Sequence, residues 1–223
     1  MGCRLSDAWP WLLVVCLVLG WAGSVQADGV ETRDFNVFVD GKRAGAAHIT
    51  IQNADDGTVS VSCDTDVTVP VLFMTYKYSY RGREVWKDGK LQRFESNCND
   101  DGKRYVVTAA AEDKGIRVKV NNQERIVSHD IGLTSFWARP DNKVINQTVP
   151  LVDADTGRDL DAKVTYVGQE ELMISGQSQT LLHYKLTGKC NIELWYDSAD
   201  RLARQEFVED GHKTIVELTK IRK

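Results

Sequence analysis

Residues 76–91 read "YKYSYRGREVWKDGKL". One parity of this stretch carries Tyr76, Tyr78, Tyr80, Gly82, Glu84 and Trp86, and the other carries Lys77, Ser79, Arg81, Arg83, Val85 and Lys87. A helix would interleave these two sets around its circumference, whereas a period of two separates them cleanly. The stretch therefore reads as a long strand with a cationic solvent face and an aromatic inner face. Asp88-Gly89 ends it with a pair that accepts positive φ, as a tight hairpin requires. Glu84 is the exception on the inner face, because an unpaired buried carboxylate costs several kcal/mol, by order of magnitude. Two accounts follow. In one, the tyrosines are core packing and Glu84 caps the sheet rim or pairs with an arginine. In the other, a curved sheet lines a cavity for an apolar ligand with Tyr76, Tyr78, Tyr80, Glu84 and Trp86, whose hydroxyls and carboxylate are its few polar groups.

The same periodicity extends outward from this strand. "TVSVSCDTDVTV" (58–69) sets Val59, Val61, Cys63, Thr65, Val67 and Val69 against Ser60, Ser62, Asp64, Asp66 and Thr68; "IRVKV" (116–120) alternates Ile116, Val118 and Val120 with cations; "HKTIVEL" (212–218) alternates less cleanly. Hairpin-type pairs fall between such runs at Asp40-Gly41, Asp56-Gly57, Asp88-Gly89, Asp101-Gly102, Asn121-Asn122 and Asp210-Gly211. The pattern predicts a mainly β protein: a single antiparallel meander of about ten or more strands, curled into a half-open or closed barrel because flat sheets of that size are unusual. One short helix is expected at "SFWA", N-capped by Thr134 or Ser135 and stopped by Pro140. Residues 141–161 are the least regular. No linker, repeat or low-complexity tract divides the chain.

The 223 residues begin with one Arg, an apolar run from Trp11 to Trp21 and small residues ending at Ala27. That is the pattern of a secretory signal peptide over residues 1–27, which leaves one β-rich domain over 28–223 in the periplasm or outside the cell. Asp7 offsets Arg4, and the run is short for a membrane span of about 20 residues. "MGCRLS" also fits an N-myristoylation pattern, but a lipid-anchored cytosolic chain needs neither the apolar run nor the small-residue site after it. No Cys stands at the cleavage point for bacterial lipidation. The net charge of −4 gives no basic excess for nucleic acid or anionic lipid. Cys63, Cys98 and Cys190 remain after cleavage, too few and too scattered for a disulfide framework, and no particular pair is favoured.

Catalytic patterns are absent. "ELWYDSADRLARQEF" (193–207) looks like a carboxylate cluster, but strand alternation on both sides of "DSADR" makes it a hairpin whose charges face solvent, with Glu193 or Glu206 opposite Arg204 according to register. A glycosidase would need two carboxylates at fixed separation across a cleft. His48, His129, His183 and His212 show no metal-ligand spacing. "DADTGRDLDAKV" (153–164) starts like a calcium loop, yet Arg158 stands where the sharp-turn glycine belongs and Val164 where the bidentate glutamate belongs. "GQSQT" (176–180) misses the nucleophile elbow by its last residue. Asp64 and Asp66 share a solvated strand face. The expectation is a protein that is not an enzyme and takes no cofactor or metal.

"FVDGKRAGAAHITI", "EVWKDGKLQRFES" followed by "DDG", "GLTSFWARP" and "IELWYDSADRLARQEFVEDGHKTIVEL" occur in this order over most of the chain. They resemble an uncharacterised family of exported bacterial proteins built on a domain of unknown function. More distantly, the Asp-Gly opening and the Leu-Trp-Tyr-Asp hairpin are similar to periplasmic lipoprotein-carrier-like half-barrels. The resemblance implies an antiparallel half-barrel in the cell envelope, with "SFWA" as a plug in its concave face, Phe136 and Trp137 as core, and no catalytic residue to assign. Three functions remain in view: a module holding a hydrophobic small molecule or lipid, an interaction module for an envelope protein with a filled interior, and, least supported, a hydrolase.

Overall fold

The computed structural model describes residues 29–71 and 73–223; the expected signal peptide and its cleavage site at Ala27 lie outside the described residues. One 15-stranded sheet holds β1 (Gly29–Val39), β2 (Lys42–Asn53), β3 (Thr58–Val71), β4 (Met74–Lys87), β5 (Lys90–Asp100), β6 (Lys103–Glu112), β7 (Gly115–Val120), β8 (Gln123–Val127), β9 (Gly132–Leu133), β10 (Thr148–Val152), β11 (Asp159–Ile174), β12 (Gln177–Gly188), β13 (Ile192–Tyr196), β14 (Leu202–Glu209) and β15 (His212–Arg222). The order is β8 through β1, then β15 down to β9, so the first and last strands pair in mid-sheet. Every pairing is antiparallel except β9 with β10. Among the described residues no helix is long and apolar enough to cross a membrane.

The turn chemistry explains the meander. Asp40-Gly41, Asp88-Gly89, Asp101-Gly102 and Asp210-Gly211 all have positive φ at both positions, the geometry that matches strand twist across a two-residue loop. Ser175-Gly176 adds a hairpin of the same kind, between β11 and β12. At Asp56-Gly57 only the glycine has positive φ, and at Asn121-Asn122 only Asn121 does.

The sheet curls without closing. Phe136 and Trp137, neighbours in the chain, contact three well-separated strands: the Trp137 carbonyl accepts from Arg33 on β1 (2.6 Å), Trp137 Nε1 donates to Glu84 on β4 (2.9 Å), and the Phe136 carbonyl accepts from Tyr196 on β13 (3.1 Å). At roughly 4.8 Å per strand, β4 and β13 would stand about 29 Å apart in a flat sheet of this order. The two ends meet through side chains: Arg125 of the edge strand β8 donates to Asp159 of β11 (2.9 Å) and to the Gly157 carbonyl (2.6 Å). Among the described residues no strand ladder bridges that seam.

The expected helix at "SFWA" does not form. Thr134 and Ser135 make a turn, Phe136 has φ of 45°, and Ala138 bridges Arg201; among the described residues the one helical turn is a 3-10 turn later, at Asn142–Val144. Four residues before a proline offer too few internal hydrogen bonds to offset helix nucleation, and the long-range bonds to Arg33 and Tyr196 win. The segment still crosses the concave face, so the plug position holds although its secondary structure differs.

A second departure lies on the opposite face. Val167 is an extra residue in β11 at a register shift beside Gly168, and the β11–β12 hairpin folds back until Ser175 Oγ donates to the Leu218 carbonyl on β15 (2.8 Å). Trp195 lies on the side of the sheet that carries Glu193, yet it is only 6% exposed. The charges near it are correspondingly sheltered. Register places Glu193 opposite Glu206, and Arg204 opposite Trp195, where it donates to Glu206 (2.7 Å) and to Glu217 (2.8 Å).

Candidate functional site

The inner face of β4 forms as the alternation predicts: Tyr80, Gly82 and Glu84 are buried, Tyr76, Tyr78 and Trp86 half-buried, and Lys77, Arg81 and Arg83 exposed. Each polar side chain of the expected ligand site except one has an internal partner. Tyr76 donates to Asp100 of β5 (2.7 Å) and Tyr78 donates to Asp155 (2.8 Å). Glu84, 3% exposed, accepts from the indole N–H groups of Trp86 (2.7 Å) and Trp137 (2.9 Å) on a single carboxylate oxygen. Burial pushes the Glu84 carboxyl above its ordinary pKa against the pull of the Ser135 side chain and of the two indoles. Neither a sheet rim nor an arginine is its partner; two tryptophans are.

Tyr80 is the exception. Its hydroxyl is buried with no hydrogen-bond partner among the described residues. Its ring lies back over Gly82, where a Cβ would fall 2.2 Å from the hydroxyl and 2.6 Å from Cζ. Glycine is required there by this close approach, and the tyrosine in turn covers the backbone that glycine leaves bare. Burial raises the Tyr80 phenol well above its ordinary pKa, so it stays neutral.

The groups facing this strand come from loops that sequence periodicity does not position. The tip between β10 and β11 closes on itself through Asp153 N to Arg158 O (2.9 Å), with Asp153 also accepting from Thr156 (2.7 Å). It then enters the concave face between β4 and β7. Ser96 of β5 donates to the Ala154 carbonyl (2.7 Å), Thr134 accepts from Ala154 N (2.9 Å), and Gly157 sits so close to Val107 and Val120 that a Cβ would lie 2.4 Å from the latter. Burial, then the neighbouring Asp153, lifts the Asp155 carboxyl to about 7, while the hydrogen bond from Tyr78 opposes that rise. Asp155 was visible in the sequence only as part of a failed calcium loop; its Asp-Thr-Gly turn chemistry was the available signal.

The interior is packed from both sides. Val152, Ala154, Ile131 and Leu133 fill the space over Phe94, Cys98, Val107, Ile116 and Val118. Phe35, Leu151, Val164, Leu186, Leu194 and Tyr196 belong to the second cluster. Two shallow open hollows, of about 350 and 320 Å³, lie instead on the outer face. They share Arg93 and Glu95 and include Ser60, Ser62 and Arg83 on one side and Thr108, Ala110 and Arg117 on the other. Cys63, Cys98 and Cys190 are free thiols, and burial pushes the Cys63 thiol up to about 12, so it does not ionise near neutral pH. Among the described residues no group of three or more His, Cys, Asp or Glu could hold a metal ion.

The geometry defines an open, barrel-like antiparallel sheet with a loop-filled interior. The chain belongs to the family defined by a domain of unknown function, DUF6134, whose model matches residues 35–219. Among solved structures it is similar to a β-barrel-like protein of domain of unknown function DUF1849 from Brucella abortus, at 10% identity and TM-score 0.59, covering 86% of this chain and 96% of that one. That likeness shows the fold. A DUF1329 family protein from Desulfovibrio piger aligns over 89% of this chain and 87% of its own at 13% identity, with a TM-score of 0.23. No curated protein matches the sequence.

Proposed function

We propose that this protein is an exported, non-enzymatic interaction module of the cell envelope, which contacts a partner protein with its outer surface while its interior serves as support. The observation that carries this reading is the consumption of the inner polar groups: Tyr76, Tyr78, Glu84 and Trp86 are all spent on internal hydrogen bonds. A ligand cavity keeps a few polar groups convergent and free. The outer hollows offer the opposite, because Arg83 has no hydrogen bond or ion pair among the described residues and Arg93 has only a long contact of 3.7 Å to Glu95. An acidic segment of a partner suits such a surface.

The alternative, a carrier of a hydrophobic small molecule or lipid, draws on one feature: part of the interior is filled by a loop tip rather than by a strand, and a tip can be displaced. One pair of measurements separates the two readings. A photo-crosslinking residue at Val85 or Thr108, in the outer hollows, should give a discrete adduct in cells that is lost with Arg83→Glu/Arg93→Glu. A solvatochromic dye should show no saturable displacement by fatty acid. Saturable displacement together with absence of an adduct would reverse the assignment.

A further inference from the structure

We infer that the Asp153–Arg158 tip is a proton-gated plug: with Asp155 protonated it stays seated in the concave face, and loss of that proton drives it outward as a unit, uncovering Ser96, Cys98, Val107 and Val118. This goes beyond the proposed outer-surface role and does not depend on it.

The geometry has three parts. The tip is rigid within itself, closed by the backbone bonds from Asp153 to Arg158 and from Gly157 to Asp153 and by the Asp153 side chain, which accepts from Asp155 N and from Thr156. Its attachment to the barrel, by contrast, consists of four separable hydrogen bonds, Ser96 to Ala154, Thr134 to Ala154, Tyr78 to Asp155 and Arg125 to Gly157, and of the packing of Ala154 and Gly157 on the apolar face of β5 to β7. The third part is charge. Asp155 is half-buried on the tip with a neutral phenol as its side-chain partner, and the largest charge effects on it come from acidic groups: Asp153 on the tip, Glu209 on β14 and Asp100 on β5. Cys63 on β3, Tyr80 on β4 and Cys98 on β5 face the same carboxylate and are neutral acids themselves, each pushed up first by burial and further by that carboxylate. Arg158 acts on this group through Asp153, at 3.6 Å, and through Glu209.

A carboxylate in that position is stabilised when the tip reaches water, whereas the carboxylic acid favours the seated state. Burial lifts Asp155 to about 7 in the seated tip, against 3.8 when it is released. By linkage, the released fraction then grows about tenfold between pH 6 and pH 8.

Cys98 reports the event, because it lies 3% exposed in the cluster that the tip covers. Labelling of Cys98 in the full chain by a small maleimide, read by peptide mass spectrometry, is compared between wild type and Asp155→Asn at the same pH, so that thiol ionisation cancels. Opening faster than labelling makes the rate follow the released population. The wild-type to variant ratio should rise about tenfold from pH 6 to pH 8; a ratio equal at both pH values overturns the inference. If Asp155→Asn fails to fold, Tyr78→Phe takes its place. Removing the phenol that solvates the carboxylate should steepen the pH 6 to pH 8 rise beyond that of wild type, and an unchanged rise overturns the inference equally.

Discussion

The β4–β7 part of the sheet and the β12–β15 part place their sheltered polar groups on opposite faces. In the first, Glu84, Ser96 and Tyr78 point inward and find partners on loops, Trp137, Ala154 and Asp155 respectively, while the outer face is solvated. In the second, the inward side chains are Leu186, Leu194, Tyr196 and Leu202, and the polar groups sit outside under the folded-back hairpin. There His183 stacks on Trp195 at 4.4 Å and bonds Glu193 (2.6 Å), Trp195 Nε1 donates to Glu170 (2.9 Å), and Arg204 holds Glu206 and Glu217. The difference shows two ways of making one strand pattern into a filled barrel. One part is sealed by directional bonds to loops, the other by apolar packing between strands.

Truncation breaks the comparison most sharply. Leu194 is fully buried in the apolar part, and Leu194→Ala should cost about 3 kcal/mol, as a cavity that rigid neighbours cannot refill. In the hydrogen-bonded part the decisive change is chemical rather than volumetric. Glu84→Leu keeps bulk but strands two indole N–H groups, for a loss of about 2 kcal/mol, whereas Glu84→Gln keeps an acceptor and stays within about 1 kcal/mol of wild type. Urea unfolding of the three variants checks both statements. Equal losses from Glu84→Leu and Glu84→Gln would show that the tryptophans do not rely on that oxygen.

The same contrast explains what could be read in the residues. The strands at 58–69, 76–87 and 116–120 were legible because each has one clean apolar parity and a turn pair beside it. The inner placement of Tyr76, Tyr78, Tyr80, Glu84 and Trp86 was legible for the same reason. Their partners were not. Asp155 lies 77 positions from Tyr78 and Trp137 lies 53 from Glu84, so the pairing depends on how far the sheet curls, which local periodicity does not encode. Trp195 shares the parity of Glu193, whose face alternation alone turns to solvent, and its cover comes from the register shift at Val167 and the Ser175-Gly176 turn, two local features whose joint effect emerges only when the hairpin folds across the sheet. The helix expected at 134–138 failed where long-range hydrogen bonds outweighed a four-residue pattern.

The smallest expected effect is also the one that separates the two parts by sign. Glu84 and Asp155 carry pKa values raised in the folded chain, mainly by burial, so the folded state binds more protons than the unfolded one and the stability they supply is lost as pH rises toward the folded value. For Asp155 alone the loss between pH 6 and pH 8 is about 1.4 kcal/mol. On the other part burial works against ionisation of Glu206 and Glu193, but hydrogen bonds from Lys213 and Arg204 to Glu206, and from Lys185 and His183 to Glu193, outweigh it and hold both below the ordinary value. Their contribution is present at neutral pH and disappears only as pH falls through those lowered values. Stability measured by urea midpoint should therefore peak near the ordinary carboxylate values, at about pH 4, where the loss from Asp155 begins and the contribution of Glu206 and Glu193 is still largely held, and decline in both directions. Asp155→Asn should flatten the alkaline limb and leave the acid limb in place. Glu206→Gln should do the reverse, and a variant that altered both limbs together would mean that the two parts do not respond to pH independently.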